Sequence, residues 1–185
     1  YWKHLLEVNC VIDHSWTKES YLLKAEGVLK APVLGVLHAP VDTMYRELPP
    51  GVTKPCFVCI SQDQANHFEG LFSPAKCRVA HNGIHLGHYR ALGIPRTNRY
   101  LFLARFSTIK GPDLAIQACK RAGVGLDLIG DTSITNEPEL FKKCKAMADG
   151  KQIRMIGPST RGETVWWYSQ AHCLLHPNQR FREPL

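Results

Sequence analysis

The sequence predicts an α/β protein with two parallel sheets, each covered by helices. Three observations carry this prediction. Strand-like apolar runs alternate with helix-like segments along almost the whole chain, as is typical of βαβ units in parallel sheets. Sequences of the capping-box type mark helix starts at Ser61, Asn136 and Thr160. A segment rich in glycine and proline, 81–98, has no periodicity and is typical of a linker between the two sheets.

The first sheet is predicted from four short apolar runs, 8–12, 32–37, 56–60 and 77–80. A helix is expected over 17–29 with Ser15 as its N-terminal cap, and a second from Ser61 to Leu71. A loop separates the second run from the third and contains Pro40, Pro49, Pro50 and Pro55.

The second sheet is predicted from the runs 100–104, 126–129, 152–156 and 172–175, with helices over 112–122, 137–149 and 161–170. Each half holds only part of a usual doubly wound domain. We therefore predict two domains, 1–92 and 93–185, each partly represented. The chain starts at Tyr1 and stops at Leu185, and we expect it to be a piece of a longer protein, cut at both ends.

Composition and charge indicate a globular protein with reduced cysteines and make nucleic acid an unfavoured partner. Hydrophobic residues make up 44% and charged residues 21% of the 185 residues, as in globular domains. The seven cysteines are an odd number and lie mostly in apolar runs, which predicts reduced thiols in a cytoplasmic protein and not a disulfide framework. The net charge of +7 is scattered along the chain. It favours a phosphorylated substrate or an anionic membrane surface over nucleic acid.

The most informative stretch begins after the apolar run 100–104. Arg105 and Lys110 bracket a short loop, and Gly111-Pro112 opens an amphipathic helix. Two cations beside a helix N-terminus form an anion site, because the unpaired amides and the positive end of the helix dipole favour phosphate there. The sequence therefore predicts a phosphorylated ligand at this loop.

Polar and glycine residues collect where the predicted strands end. In open parallel sheets, ligands bind outside the carboxyl ends of the strands. Read in chain order, these ends carry His38, Ser61, His81-Asn82-Gly83, Arg105, Gly130-Asp131, Gly157 and the segment 177–183. Asn82-Gly83 is expected to serve turn geometry, since both residues tolerate positive φ.

The motifs at these ends, in this order, resemble those of the retaining glycosyltransferases of the GT-B fold, family 4. The resemblance covers most of the chain. It is carried by Val33-Leu-Gly-Val-Leu-His38, Cys59-Ile-Ser61, Val79-Ala-His-Asn-Gly-Ile84, Leu103-Ala-Arg-Phe106 with Lys110-Gly111, Leu128-Ile-Gly-Asp131, Ile153-Arg-Met-Ile-Gly157, Tyr168-Ser-Gln-Ala171, and His176-Pro-Asn178 with Arg182-Glu-Pro184. It implies two Rossmann-like domains, an acceptor-side domain over 1–92 and a nucleotide-sugar donor domain over 93–185.

The resemblance also implies an activity, the transfer of a sugar from a nucleotide-diphosphate-sugar to an acceptor with retention of anomeric configuration. Arg105 and Lys110 would hold the donor diphosphate, and His38 would face the sugar. Glu183 would be the first acid of the family's E-x₇-E signature, whose second acid falls beyond Leu185.

The resemblance assigns the remaining loop residues to the cleft and the donor loops; these are Asn82, Gly83, Gly130, Asp131 and Gly157. It implies no metal and no cofactor besides the nucleotide-sugar substrate. The acceptor would be a sugar, a lipid-linked molecule or a small molecule. A lipid-linked acceptor would place the protein peripherally at the inner face of the membrane, where its positive charge is favourable.

Three alternatives stay open. A nucleotide-sugar epimerase or a glycan phosphorylase would share the two-domain architecture, because fold does not fix chemistry. A zinc site is conceivable from the thiols and imidazoles of Cys56, Cys59, Cys77, His81, His85 and His88. A non-enzymatic fragment could bind a partner through Trp166, Trp167 and Tyr168, which are consecutive and cannot all face one core.

Overall fold

The computed structural model describes residues 7–15, 17–38, 56–72, 76–133 and 135–179. Its contacts divide these residues into two compact units. Unit 1 comprises the described residues up to Gly83, and unit 2 those from Ile84 onward. The predicted domain boundary after residue 92 stays a prediction.

Unit 1 is built on a parallel sheet of four strands in the order β1-β2-β3-β4. The strands are β1 Val11–Asp13, β2 Val33–Leu37, β3 Cys56–Cys59 and β4 Lys76–Val79, and the helices are α1 Glu19–Ala25 after β1 and α2 Gln62–Leu71 after β3. Fully buried Leu37, Phe57 and Phe68 form the centre of the core. The hydroxyl of Tyr21 accepts a hydrogen bond from the Gly35 amide at 2.9 Å, which ties α1 to β2.

Unit 2 is built on a second parallel sheet, in the order β7-β6-β5-β8. The strands are β5 Tyr100–Leu103, β6 Leu126–Ile129, β7 Ile153–Gly157 and β8 Cys173–Leu174, and the helices are α3 Pro112–Ala122, α4 Pro138–Met147 and α5 Arg161–Gln170. Phe102, Ile116, Leu128 and Ile153 are fully buried between sheet and helices. All four residues of β6 are buried, as expected of a central parallel strand covered on both faces.

The two predicted parallel α/β sheets are confirmed. Within the predicted linker 81–98, the structure adds a 3₁₀-helix at Leu86–Tyr89. On α5, Trp166 and Tyr168 are each more than 40% exposed, whereas Trp167 is half-buried. None of the helices in the described part of the chain is long and apolar enough to cross a membrane.

The predicted helix starts had mixed outcomes. The capping box of Thr160 and Glu163 is present in full. Ser61 caps α2, but the Gln64 side chain accepts from the Ile60 amide and does not complete a box. The prediction for Asn136 was wrong: the N-cap position belongs to Glu137, whose side chain makes no cap bond.

The prediction of Ser15 as the cap of α1 was also wrong. The residue at the N-cap position is Lys18, in the left-handed region at φ 53°. The Ser15 hydroxyl does accept from the Lys18 amide at 3.0 Å, but this turn precedes the helix.

We expect Thr160→Ala to destabilise unit 2 by about 1 kcal/mol, because it removes the acceptor for the Glu163 amide and the hydroxyl donor to the Glu163 carboxylate. Urea unfolding followed by circular dichroism measures this. The control is Gly162→Ala in the same helical turn, where an added Cβ meets nothing within 4 Å in the part of the chain that the structure describes. It should be neutral or slightly stabilising. Equal stability of Thr160→Ala and the unaltered chain would contradict the capping role.

Candidate functional site

Unit 2 contains a topological switch point at the carboxyl ends of its strands. The chain moves from β5 to β6 and then β7 in one direction, and β8 then returns to pair with the other side of β5. The switch point therefore lies between β5 and β8 at their carboxyl ends, which is where ligands bind in open α/β sheets. In unit 1 the described strands follow one another in sequence order, so they contain no such reversal.

The loop that follows β5 at the switch point is the predicted anion loop. Arg105 is exposed, and within the part of the chain that the structure describes its side chain has no hydrogen-bond or ion-pair partner. Lys110 is half-buried at the other end of the loop. Between them, the carbonyl of buried Ser107 accepts from the amides of Lys110 at 3.0 Å and Gly111 at 3.1 Å. The loop thus presents two cations on a tight turn.

Two neighbouring loops hold this turn in place. The Glu137 carboxylate accepts from the Thr108 amide at 2.9 Å and from the Thr108 hydroxyl at 2.5 Å. From the segment after β8, Gln179 donates its amide to the Ile109 carbonyl and its side chain to the Thr108 carbonyl, both at 2.8 Å. The loop is therefore fixed from both sides of the switch point.

The N-terminus of α3 ends the loop. Its N-cap Gly111 has φ 65°, and a Cβ there would lie 2.5 Å from the carbonyl oxygen of Pro177, so the position excludes other residues. The first turn contains Asp113, whose carboxylate is paired with Lys143 at 2.6 Å. Because that negative charge is matched, the helix end keeps the positive character that favours an anion.

The other loop residues predicted for unit 2 lie at the same edge. Gly130 directly follows β6 and donates its amide to the carbonyl of Gly157, the last residue of β7, at 2.9 Å. The Asp131 carboxylate accepts from the amide and the hydroxyl of Ser133 at 3.1 and 2.7 Å. Asp131 thus bonds within its own turn, and its carbonyl accepts from the Phe106 amide at 2.8 Å.

The corresponding edge of unit 1 carries two histidines in contact. His38 follows β2 and His14 follows β1, and both are exposed. Nδ1 of His14 lies 2.8 Å from Nε2 of His38, and the rings are stacked with centroids 5.1 Å apart. Burial lowers the pKa of His38, and the nearby His14 and Lys18 lower it further. His14 was missed by the sequence analysis, although it lies two residues after the end of a predicted strand.

Polar residues around His14 in the sequence form a hydrogen-bonded cluster. The Asp13 carboxylate, 7% exposed, accepts from the hydroxyls of Ser15 and Ser20. The ammonium of Lys18, which is fully buried, donates to the main-chain carbonyls of Asp13 and Ser15. Burial raises the pKa of Asp13, but the hydrogen bonds from Ser15 and Ser20 outweigh it and the net shift is downward.

Asn82 and Gly83 also belong to unit 1 and are exposed. The expectation that they use positive φ was wrong, because neither has a positive φ angle. His81, beside them, places Nδ1 at 3.1 Å from the Ile60 carbonyl at the end of β3. Glu183 lies outside the described residues, and so do the four prolines of the predicted loop after β2.

For the zinc alternative, the described side chains contain no group of three or more histidine, cysteine, aspartate or glutamate residues placed to hold a metal ion. His85 and His88 stack on each other at 4.2 Å between ring centroids. Burial raises the pKa of the Cys59 thiol, which is fully buried among apolar residues of unit 1. This thiol is therefore held neutral, in the form that does not bind metal.

Two parallel α/β sheets with a switch-point loop in the second define the class of fold, that of the GT-B glycosyltransferases. The Anabaena protein HepE, solved in complex with UDP-glucose and with UDP and glucose, matches 96% of this chain and 55% of its own, at 15% identity and a TM-score of 0.77. A glycosyltransferase from Rickettsia africae matches 92% of this chain and 52% of its own, at 14% identity and a TM-score of 0.71.

A third solved structure, AviGT4, is a glycosyltransferase involved in avilamycin A biosynthesis; it matches 95% of this chain and 47% of its own, at 22% identity and a TM-score of 0.66. This chain thus spans about half the length of each of these proteins. No protein-family model matches the chain, and none of the curated proteins does.

Proposed function

We propose that this chain forms part of a glycosyltransferase that moves a sugar from a nucleotide-diphosphate-sugar to an acceptor, with retention of anomeric configuration and without a metal ion. The observation that carries the proposal is the loop of Arg105 and Lys110 at the switch point of unit 2, beside the N-terminus of α3. The GT-B fold, and the nucleotide-sugar complexes of a protein with the same fold, support it.

The proposed contribution of unit 2 is to stabilise the leaving group. When the anomeric bond breaks, the electron pair stays on the nucleotide diphosphate. The acceptor hydroxyl oxygen then bonds to the same face of the sugar and gives its proton to the departing diphosphate. Arg105 can bind two diphosphate oxygens at once, whereas Lys110 acts as a point charge. Fixed cations aimed at charge that develops in the transition state lower the barrier.

The hydrogen bonds around the loop serve this role. Such stabilisation requires that the charged groups be in place before the reaction, since moving them during it costs free energy. Glu137 on one side and Gln179 on the other fix the main chain between Arg105 and Lys110. We propose that these two side chains position the loop from Arg105 to Lys110 for binding the diphosphate.

Unit 1 would supply His38 to the sugar or to the acceptor, and Glu183 would act as the first acid of the signature. A sugar, a lipid-linked molecule or a small molecule would be the acceptor. The scattered excess of positive charge, +7 in total, is favourable for a lipid-linked acceptor at an anionic membrane surface.

Calorimetric titration with UDP, GDP and ADP tests the donor site. We expect one diphosphate to bind, and the double variant Arg105→Ala/Lys110→Ala to weaken it by at least about 100-fold, since two charge-assisted interactions of about 1.5–3 kcal/mol each are lost. The matched control is Lys120→Ala/Arg121→Ala, which removes the same charge from exposed positions at the other end of α3.

The control should bind the diphosphate as tightly as the unaltered chain. Equal weakening by both double variants would mean that the loss of diphosphate affinity comes from general electrostatic attraction and not from a site at Arg105 and Lys110. Failure of all three diphosphates to bind would contradict the proposed donor site.

A further inference from the structure

The contact between His14 and His38 requires one proton between the two facing ring nitrogens. A hydrogen bond between two imidazole nitrogens 2.8 Å apart needs a proton on one nitrogen and a lone pair on the other. Whichever ring donates, the remaining nitrogen of His38 takes the opposite character. If Nε2 carries the proton, Nδ1 can only accept; if Nε2 is the lone pair, Nδ1 of the neutral ring donates.

The main chain of His14 is fixed on both sides. The buried ammonium of Lys18 donates to the carbonyls of Asp13, at 3.2 Å, and of Ser15, the residues before and after His14. Lys18 itself has φ 53°, in the left-handed region that residues other than glycine disfavour. The loop between β1 and α1 thus combines an unfavourable main-chain conformation at Lys18 with two hydrogen bonds from the Lys18 ammonium.

We infer that His14 is a positioning residue for His38, which holds that ring in one orientation and one tautomer through a proton shared between Nδ1 of His14 and Nε2 of His38. The pairing itself depends only on unit 1. The consequence of the pairing for catalysis rests on the proposed function. The tautomer of His38 decides whether Nδ1 of His38 donates to a sugar hydroxyl or accepts from one.

The charges that act on His38 favour its neutral form. Burial disfavours the imidazolium, and His14 and the ammonium of Lys18 add to this. The Asp13 carboxylate at the end of β1 is engaged by the hydroxyls of Ser15 and Ser20. On the neighbouring β3, the Cys59 thiol stays neutral. Tyr21 of α1 also packs against β2, and its hydroxyl accepts from the Gly35 amide. The groups that shift the pKa of His38 all lower it.

Nuclear magnetic resonance of the full 185-residue chain, with ¹⁵N-labelled histidines, tests the inference. We expect a ¹⁵N–¹⁵N coupling across the hydrogen bond between the two rings, a single tautomer for His38, and titration of His38 below the ordinary histidine value of 6.5. His38→Asn assigns the signals. Absence of the coupling in the unaltered chain would overturn the inference without recourse to a variant.

Two variants separate positioning from general structure. His14→Phe keeps a ring but no hydrogen-bonding nitrogen, so His38 should lose its single tautomer and titrate at a higher pH. His14→Asn places an amide where Nδ1 stood, which can donate or accept, and should restore the hydrogen bond to Nε2 of His38. The exposed His85→Asn is the control and should change neither signal. An unchanged His38 tautomer in His14→Phe would overturn the inference.

These outcomes are independent of the donor site. The coupling is measured without any nucleotide, and nucleotide binding is measured on unit 2. A chain that shows the coupling but binds no diphosphate would keep the histidine pair and lose the proposed function. A chain that binds a diphosphate but lacks the coupling would do the reverse.

Discussion

Gly130→Ala should destabilise unit 2 by about 4 kcal/mol, from overpacking combined with backbone strain. Gly130 has φ 143°, a conformation that side chains disfavour, and an added Cβ would press into the carbonyl oxygen of Ala104. That oxygen belongs to the main chain at the end of β5 and cannot turn aside like a flexible side chain. Thermal or urea unfolding monitored by circular dichroism measures the loss.

The comparison variant is Gly150→Ala. Gly150 also has a positive φ, 72°, but no atom of the described residues lies within 4 Å of an added Cβ. It carries the conformational cost without the clash and should lose only about 1 kcal/mol. If the two variants were equally stable, the close approach of Ala104 to Gly130 would contribute nothing.

Asp127→Asn should cost unit 2 about 3 kcal/mol. Asp127 is only 4% exposed and accepts hydrogen bonds from Arg99 and Arg154, with distances between 2.6 and 3.1 Å. Removing the charge leaves two guanidinium groups without their carboxylate. Both are partly exposed, at 23% and 40%, and so recover some hydration; the expected loss is therefore at the lower end for a buried pair.

The same variant has a characteristic pH dependence. Burial raises the pKa of Asp127, but the hydrogen bonds from Arg154 and Arg99 outweigh it, so the pKa lies below the ordinary 3.8. A carboxylate with a lowered pKa stabilises the folded state above its unfolded value, and this stabilisation is lost as pH falls through the folded value. The difference between the unaltered chain and Asp127→Asn should be constant from about pH 5 to 8 and shrink below about pH 4.

Chemical unfolding at a series of pH values measures this difference. The control is Glu139→Gln, which breaks an exposed pair with Lys142 and should change stability by less than about 0.5 kcal/mol. A difference for Asp127→Asn that persists unchanged at pH 3 would mean that packing, not charge, makes this position sensitive.

The strands were predictable because parallel strands are buried on both faces and therefore form short apolar runs. The buried run Leu126–Ile129 was predicted with both its bounds. The linker segment was less predictable, since its 3₁₀-helix Leu86–Tyr89 is exposed and has no apolar periodicity to reveal it.

The two wrong helix starts differ in the contacts found near them. The Ser15 hydroxyl donates to the Asp13 carboxylate two residues earlier, whereas the Glu137 carboxylate, at the N-cap position of α4, is bonded to Thr108, 29 residues earlier. Local sequence cannot show the second of these contacts. Capping succeeded at Thr160, where both partners of the box lie within one turn.

Some residues of the candidate site were also predictable from the sequence, and others were not. Arg105 and Lys110 were predictable because they bracket one loop of the sequence. His14 was not, because its partner His38 follows a different strand, and their contact depends on the register that pairs Asp13 with Gly35. Strand ends can be located from sequence, but contacts across strands require the sheet.

The short strand β8 limits how long the loop from Arg105 to Lys110 stays ordered. Only two residues of β8 pair with β5, and both are exposed, so its amides should be among the first in the sheet to exchange with solvent deuterium. Gln179 follows β8 in the chain and supports the loop at Thr108 and Ile109. Each local opening that extends from β8 to Gln179 therefore releases one side of the loop, although the rest of unit 2 remains folded. A nucleotide bound at Arg105 and Lys110 should slow deuterium uptake in β8, a strand that it need not touch.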